Sequence, residues 1–403
     1  MTQHTRMNSA RHFACRFMPA WVDRALPHGS DPAPVIESIG APDAPATTLT
    51  QARIIFTLAH LHLVTATPGL LEAARRIYRH MIAQLRDKDG GFRLSVAPDG
   101  GLRRSYDQSF ALLALATLHR ADPDLVSAAD IDACWDFIAT KLTAPDGSLW
   151  EDDRAPANGG MRSQNPHMHM LEAALQCYEM TGATIWLARA KTFIDLARRY
   201  FIDAETGAVR EFVGPDLMPL DTTAGQRREP GHQYEWAWLL RRYAGFSGDK
   251  GAVTLADRMQ AFAEQFGLRK SGPLHGAPYD ALDAQGRVVE ASHLLWPLTE
   301  AGKLYAAIHR ESGDPAAANS ARHLEQLVFE RYFAATNPPC WVNQLDGGAL
   351  ALWDAALSRL LYHVAIFVTE GMSANLWQDA GCDTQPNASF NHERPNFNSE
   401  ERP

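Results

Sequence analysis

Cysteine is scarce and scattered in this chain. The 403 residues hold five, Cys15, Cys134, Cys177, Cys340 and Cys382, an odd number with no Cys-x-x-Cys pair. That pattern excludes a disulfide framework and a cysteine-based zinc module, and it points to a reducing cytoplasmic location. No run reaches the ~18 apolar residues of a membrane span, and no apolar stretch of a secretory signal opens the chain. Lysine and arginine form no block, and the net charge is −9. Neither nucleic acid nor a membrane surface is therefore expected as a partner. There is no Gly-x-Gly-x-x-Gly and no His-Glu-x-x-His, and Gly245-Phe-Ser-Gly-Asp-Lys-Gly251 lacks the spacing of a phosphate loop. Neither a redox cofactor nor a metal is expected. Arg6, Arg11 and Arg16 precede the first acid, Asp23, which mimics a transit peptide; we read this stretch as a first helix with polar flanks.

Strand signals are weak as well. Gly90–Val96 and Gly207–Val213 are short runs bounded by Gly, Pro or Asp, and read as hairpins or loops at helix ends. Helical periodicity, by contrast, recurs along the whole chain. It predicts helices near 6–20, 48–66, 68–86, 104–120, 127–142, 165–181, 184–201, 231–246, 250–267, 290–311, 315–332 and 355–372. Asn165 is placed as an N-cap with Pro166 at the first helical position, and Gly182 follows as a stop. Alternate helices start every ~55–65 residues, a loose repeat of helical pairs. Six such pairs closing into a ring give an all-α fold, an (α/α)6 barrel. We expect it to occupy residues 1–372 as one catalytic domain, followed by a polar tail at 373–403. A superhelical stack of helix pairs is the alternative.

Three histidines stand at or near helix starts: His169, His232 and His363. Glu172 follows His169 by three residues and Glu235 follows His232 by three, which places each pair on one helical face. Imidazole is the side chain best suited to moving protons near neutral pH. At a helix start the dipole favours its neutral form, which is the state expected for His232. His363 lies in an apolar run, Leu360-Leu-Tyr-His-Val-Ala-Ile-Phe367, where a core histidine bonded to a carbonyl is the plain alternative. His-x-x-Glu reverses the order used at carboxylate-bridged metal sites, so a metal is not favoured. Asp107, Asp152, Asp153 and Asp354 would be the carboxylates of a glycosidase reading. Of Trp236, Trp238, Trp296, Trp341 and Trp353, one or two are expected to face a sugar, with Trp236 and Trp238 packing instead.

Six segments carry a resemblance to a known family. They are Gln51-Ala-Arg-Ile-Ile-Phe56, Asp89-Gly-Gly-Phe92, Asn165-Pro-His-Met-His-Met-Leu-Glu172, Glu229-Pro-Gly-His-Gln-Tyr-Glu-Trp236, Trp296-Pro-Leu-Thr-Glu300 and Leu361-Tyr-His-Val364. In this order they resemble the N-acylglucosamine 2-epimerase superfamily, and most of all its D-mannose isomerase branch. The resemblance implies an (α/α)6 barrel and an aldose–ketose isomerase acting through an enediolate without a cofactor. It implies that His363 shuttles the proton between C1 and C2, and that His232 assists at O1 and O2. Arg53, Asn165, His169 and Glu235 would hold sugar hydroxyls, with Tyr106 and Trp296 lining the site and one of Arg227 and Arg228 facing the sugar. Relatives often carry a small Ser/Thr pair before Tyr-His, where this chain has Ser358-Arg-Leu-Leu361. A monosaccharide partner is implied; oligomeric state, the sugar itself, and 2-epimerisation, glycoside hydrolysis or simple sugar binding stay open as alternatives.

Overall fold

Helices buried on every side and helices buried along one stripe alternate along this chain. In the computed structural model, which describes residues 9–155, 160–333 and 340–377, the first kind forms an inner ring and the second an outer one. Helix α1 is Met18–Ala25, prolonged at its start by Ala10–His12 and a π-turn at Phe13–Phe17. There follow α2 (Thr48–Thr65), α3 (Leu70–Leu85), α4 (Ser105–Ala121), α5 (Ala128–Phe137), α6 (Asn165–Thr181) and α7 (Ile185–Leu196). The second half contributes α8 (Pro230–Ser247), α9 (Lys250–Phe266), α10 (Leu295–Ser312), α11 (Pro315–Leu327) and α12 (Leu361–Ser373). Helix α3 buries Leu70, Ala73, Ala74, Ile77, Met81 and Leu85, one stripe at three-to-four spacing. In α12 every residue from Leu361 to Gly371 is buried, as an inner helix with neighbours all round requires.

The inner helices pack in the order α2, α4, α6, α8, α10, α12 and back to α2, and α3, α5, α7, α9 and α11 each lie outside the helix before them. The last inner helix meets the first outer one. Phe13 and Phe17 stack at 5.3 Å, and Phe17 meets Phe333 at 5.2 Å and Trp341 at 6.2 Å, which covers the seam. This is the expected (α/α)6 barrel, with its sixth pair made from the two ends of the chain. One apolar cluster runs through both layers.

Several boundaries differ from the sequence-based expectation. The helix expected at 290–311 begins at Leu295, because Val288–Glu290 and His293–Leu294 are strands. Position 164, not 165, precedes α6: Gln164 is already helical in φ and ψ, so Asn165 sits inside the first turn and does not cap it. The first helix runs to Ala25 rather than 20, and the start expected at 6 lies outside the described residues. The expected polar tail starts later than 373: Trp377 packs edge-on to Phe367 and donates to the Val368 carbonyl. The four described cysteines form no disulfide; Cys382 lies outside the described residues, as does the rest of the tail from 378. No helix among the described residues is long and apolar enough to cross a membrane.

Short strands guard one end of the ring. β1 (Arg162–Ser163) pairs antiparallel with β2 (Phe212–Val213), Arg162 opposite Val213. β3 (Ala281–Leu282) pairs with β4 (Val288–Glu290), and β5 (His293–Leu294), β6 (Gln344–Leu345) and β7 (Ala351–Trp353) form a three-stranded sheet. They precede α6, α8, α10 and α12 and hold the starts of those helices together.

Close packing between α10 and α12 depends on Gly302, where an added Cβ would lie 2.4 Å from the Phe367 ring. Gly302→Val should destabilise the barrel by roughly 1–3 kcal/mol through overpacking. Gly245→Ala, whose Cβ meets nothing within 4 Å, should stabilise by roughly 0.5–1 kcal/mol. Thermal or denaturant unfolding of the two variants checks both signs.

Candidate active site

All six inner helices turn their first two turns toward the same end of the barrel, and a cavity of ≈ 270 Å³ opens there. The eight residues singled out from the sequence all line it: Arg53 on α2, Tyr106 on α4, Asn165 and His169 on α6, Glu235 and His232 on α8, Trp296 on α10 and His363 on α12. Arg227 and Arg228 do not. Arg227 pairs with Glu229 and Glu290, while Arg228 is buried against the Gly225 carbonyl. Six helix N-termini aimed at one cavity also favour negative charge within it.

His363 is not the core histidine bonded to a carbonyl. Its Nδ1 lies 2.7 Å from Glu300 Oε1, and its Nε2 faces Arg53 Nη1 at 3.5 Å. Glu300 in turn is paired with the Lys303 ammonium one turn on, both wholly buried. A carboxylate at Nδ1 fixes the tautomer with Nδ1 protonated, leaving the Nε2 lone pair for the cavity. Burial, reinforced by the Arg53 and Lys303 charges, drives the His363 pKa well down, so the ring is neutral.

His232 behaves in the opposite way, and its expected neutral form is a correction. Its Nδ1 lies 2.8 Å from Glu211 and 3.3 Å from Glu229. Burial works against the charged ring, but Glu211 and then Glu229 overcome it and lift the pKa to about 10. The helix dipole acts over a partial charge, whereas two full carboxylates act at contact distance. Nor is Glu235 the partner of His232, despite the three-residue spacing. Glu211 comes from the loop before α8 and is delivered by the β1–β2 pairing. Its other contacts are Gln164 Nε2 at 3.0 Å and the Glu229 amide at 3.1 Å.

His169 does meet its expected partner: Nδ1 bonds Glu172 Oε2 at 2.9 Å, and the Tyr362 hydroxyl donates to the other oxygen of Glu172. Burial lowers His169 to about 4, with Glu172 opposing the shift. Two residues away, His167 is a packing residue that bonds the Ser163 carbonyl and the Leu149 amide. Both Glu235 oxygens are buried without a hydrogen-bond partner. Burial, and then the neighbouring Glu300, push its pKa well up. Asn165 Oδ1 is likewise unpartnered. Buried polar atoms left open in a cavity wall are the groups a polyhydroxylated ligand would satisfy.

Trp296 stands in contact with both histidines, its ring 4.9 Å from His232 and 5.7 Å from His363. Gly231 allows this, because a Cβ there would lie 2.5 Å from the Trp296 ring. Arg53 donates to the Tyr106 hydroxyl at 2.7 Å and stacks 4.1 Å above Phe110. The sequence did not single out Glu229, Leu357, Arg359 and Leu360, which also line the cavity, nor Glu211 and Lys303. Trp353 is the second tryptophan at the site, while Trp236 packs and donates to Gln164. At the Ser358-Arg-Leu-Leu361 departure, Ser358 bonds the Ile36 carbonyl, Leu361 is buried and Arg359 faces the cavity.

The glycosidase carboxylates are employed elsewhere. Asp107 is fully buried in a two-pronged pair with Arg104, Asp153 is held by Arg103, Asp152 accepts from the Arg154 amide in a turn, and Asp354 is exposed. Three clusters have the donor types for a metal: His169–Glu172–Glu235, Glu211–Glu229–His232 and Glu235–Glu300–His363. In each the imidazole Nδ1 already shares a proton with a carboxylate, and in the third the Lys303 ammonium already occupies the role of counter-cation.

The sequence profile described as N-acylglucosamine 2-epimerase matches residues 37–366. A mannose-6-phosphate isomerase of Rhizobium meliloti is 36% identical over 278 residues, 66% of this chain and 68% of that protein. A D-mannose isomerase of Thermobifida fusca is 26% identical over 72% of this chain and 75% of its own length. Among solved structures, a sugar epimerase from a ruminal bacterium superposes with a TM-score of 0.77 at 16% identity, covering 90% of this chain and 98% of its own.

The charge on His232 is directly testable. Its folded pKa is raised, so the imidazolium persists below about pH 10 and is lost as pH rises through that value. Glu211→Gln should bring it back toward the ordinary histidine value of about 6.5. Titration of the ring nitrogens by NMR reads this, and a neutral His232 at pH 7 in the unmodified protein would contradict the charge assignment.

Proposed function

This chain belongs to the N-acylglucosamine 2-epimerase family, and on that premise we propose that it is an aldose–ketose isomerase interconverting D-mannose and D-fructose through an enediolate. The observation that carries the reading is His363, neutral and held by Glu300, with Nε2 open to the cavity beside the Arg53 guanidinium. The relatives named D-mannose isomerase and mannose-6-phosphate isomerase support it.

The mechanism follows from the proton states. The open-chain aldose lies with its C2–H toward His363 Nε2, which takes the proton as a base. The electron pair forms the C1–C2 double bond, and the carbonyl π pair moves to O1. Arg53 and the His232 imidazolium receive that developing charge. His363 then returns the proton to C1, while the O2 hydroxyl proton passes to O1 with the help of His232. Hydrogen moves only as protons, so the reaction balances with no oxidant. Glu235, His169 and Asn165 hold the remaining hydroxyls, and Trp296 and Trp353 offer rings to the sugar's C–H face.

A 2-epimerase is the second reading, favoured by one observation. Two imidazoles in opposite proton states contact the same tryptophan, and epimerisation needs an acid on the face of C2 away from the base. Proton NMR of mannose in D2O separates the outcomes. Fructose formation supports the isomerase, and glucose bearing C2 deuterium supports the epimerase. Neither product and no exchange at C2 would sink both.

Replacing His363→Ala should lower kcat by roughly 10²–10⁴, whereas Asp354→Ala should leave turnover intact. Steady-state kinetics on mannose compares them, and turnover that survives His363→Ala would contradict the assignment of the base.

A further inference from the structure

Resting on the isomerase reading, we propose that Arg359 binds a permanent anionic group on the substrate, a phosphate carried at the end of the sugar remote from C1 and C2. The preferred substrate is then an aldose phosphate, with the neutral aldose the poorer one.

The argument begins with charge matching around the cavity. Arg104 is matched by Asp107, Arg227 by Glu229 and Glu290, His232 by Glu211 and Glu229, and Lys303 by Glu300. Arg359 has no such contact partner, and the Glu37 carboxylate acts on it through space only. Arg359 stands in the single turn Ser358–Leu360 that leads into α12, it is half-buried, and it lines the same cavity as His363. Among the described residues no carboxylate pairs with its guanidinium and none hydrogen-bonds it. The nearby acid Glu37 is instead engaged by the Thr47 amide and the Thr47 and Thr50 hydroxyls.

A second unpaired guanidinium lies beside it. Arg53 is 3% exposed, and its Nη1 is 3.5 Å from the Arg359 carbonyl oxygen. Two neighbouring cations without a counter-ion in contact are costly in a partly desolvated wall. Burial, and then the repulsion from Arg53, weaken the hold of Arg359 on its proton, with Tyr106 and Glu37 opposing. The isomerase chemistry accounts for Arg53, whose guanidinium lies next to His363 Nε2 and meets the transient enediolate charge. It leaves Arg359 without a partner in the cycle. The acids lining the cavity do not fill that place: Glu229 is bound by Arg227 and His232, and Glu235 stands among Glu300, Lys303 and Glu172. A guanidinium presents paired N–H donors that match phosphate oxygens two at a time. A phosphate on the substrate supplies the missing charge and anchors the far end of the chain while C2 reaches His363.

The test compares mannose 6-phosphate with mannose. The unmodified enzyme should show a kcat/KM ratio favouring the phosphate ester by roughly 10–100-fold, and Arg359→Ala should collapse that ratio by a similar factor. Arg359→Lys should restore part of it, and inorganic phosphate should compete with the ester in the unmodified enzyme. A ratio of one or less, or a ratio unchanged by Arg359→Ala, overturns the assignment. If neither sugar is turned over, calorimetric binding of mannose 6-phosphate decides separately. A tenfold or greater loss of affinity in Arg359→Ala keeps the anion site while the isomerase reading falls, and an unchanged affinity overturns the site too.

Discussion

A buried ammonium near the heart of the inner ring sets the terms for the rest of the site. Lys303 is wholly inaccessible, paired with Glu300 and 4.0 Å from the centroid of the Trp238 ring. The charges of Glu300, Glu235 and Glu172 together hold its proton in place despite burial. Removing one partner from such a pair costs about 3–5 kcal/mol, because the other charge is left unmatched in low dielectric. The arrangement therefore locks Glu300 in position, and Glu300 locks His363. The same logic fixes His169 through Glu172, which the Tyr362 hydroxyl steadies from its second oxygen.

From this follows a division of labour between two imidazoles less than a helix turn from their own N-termini. His363 has one carboxylate contact and two nearby cations, and it is neutral. His232 has two carboxylates and is charged. Groups pushed in opposite directions by their surroundings are suited to opposite roles, one as base and one as acid. Trp296 touches both rings, so a ligand stacked on it lies within reach of each. The barrel contributes by convergence: six parallel inner helices bring polar residues from their first two turns to one mouth, on elements too well packed to drift.

Much of this was legible in the sequence because helix periodicity is local. Helix α6 occupies 165–181 as its spacing, Pro166 and Gly182 require, and the recurring pairs lead to the ring. What was not legible depended on contacts distant along the chain. Glu211 reaches His232 through a strand pairing only two residues long, too short to show in any pattern, so only the helix dipole was visible and the predicted charge was wrong. The start of α10 was placed early because residues 290–294 hold no Gly or Pro to mark a break, and the strand that claims His293 and Leu294 pairs with residues 344 and 345, far along the chain. Arg359 acquires meaning only from what surrounds it, namely Arg53 and the absence of an acid in contact with it. Lys303 was within reach: Glu300 and Lys303 three apart in the otherwise apolar Leu298–Tyr305 stretch mark a buried ion pair.

The account stands on the proton state of His363. Nitrogen chemical shifts of its ring at pH 7, read in the substrate-free protein, test this most directly. The account predicts a neutral ring with the proton on Nδ1 and a bare Nε2. An imidazolium, or a neutral ring carrying its proton on Nε2, would contradict it, since neither could accept the C2 proton at the cavity.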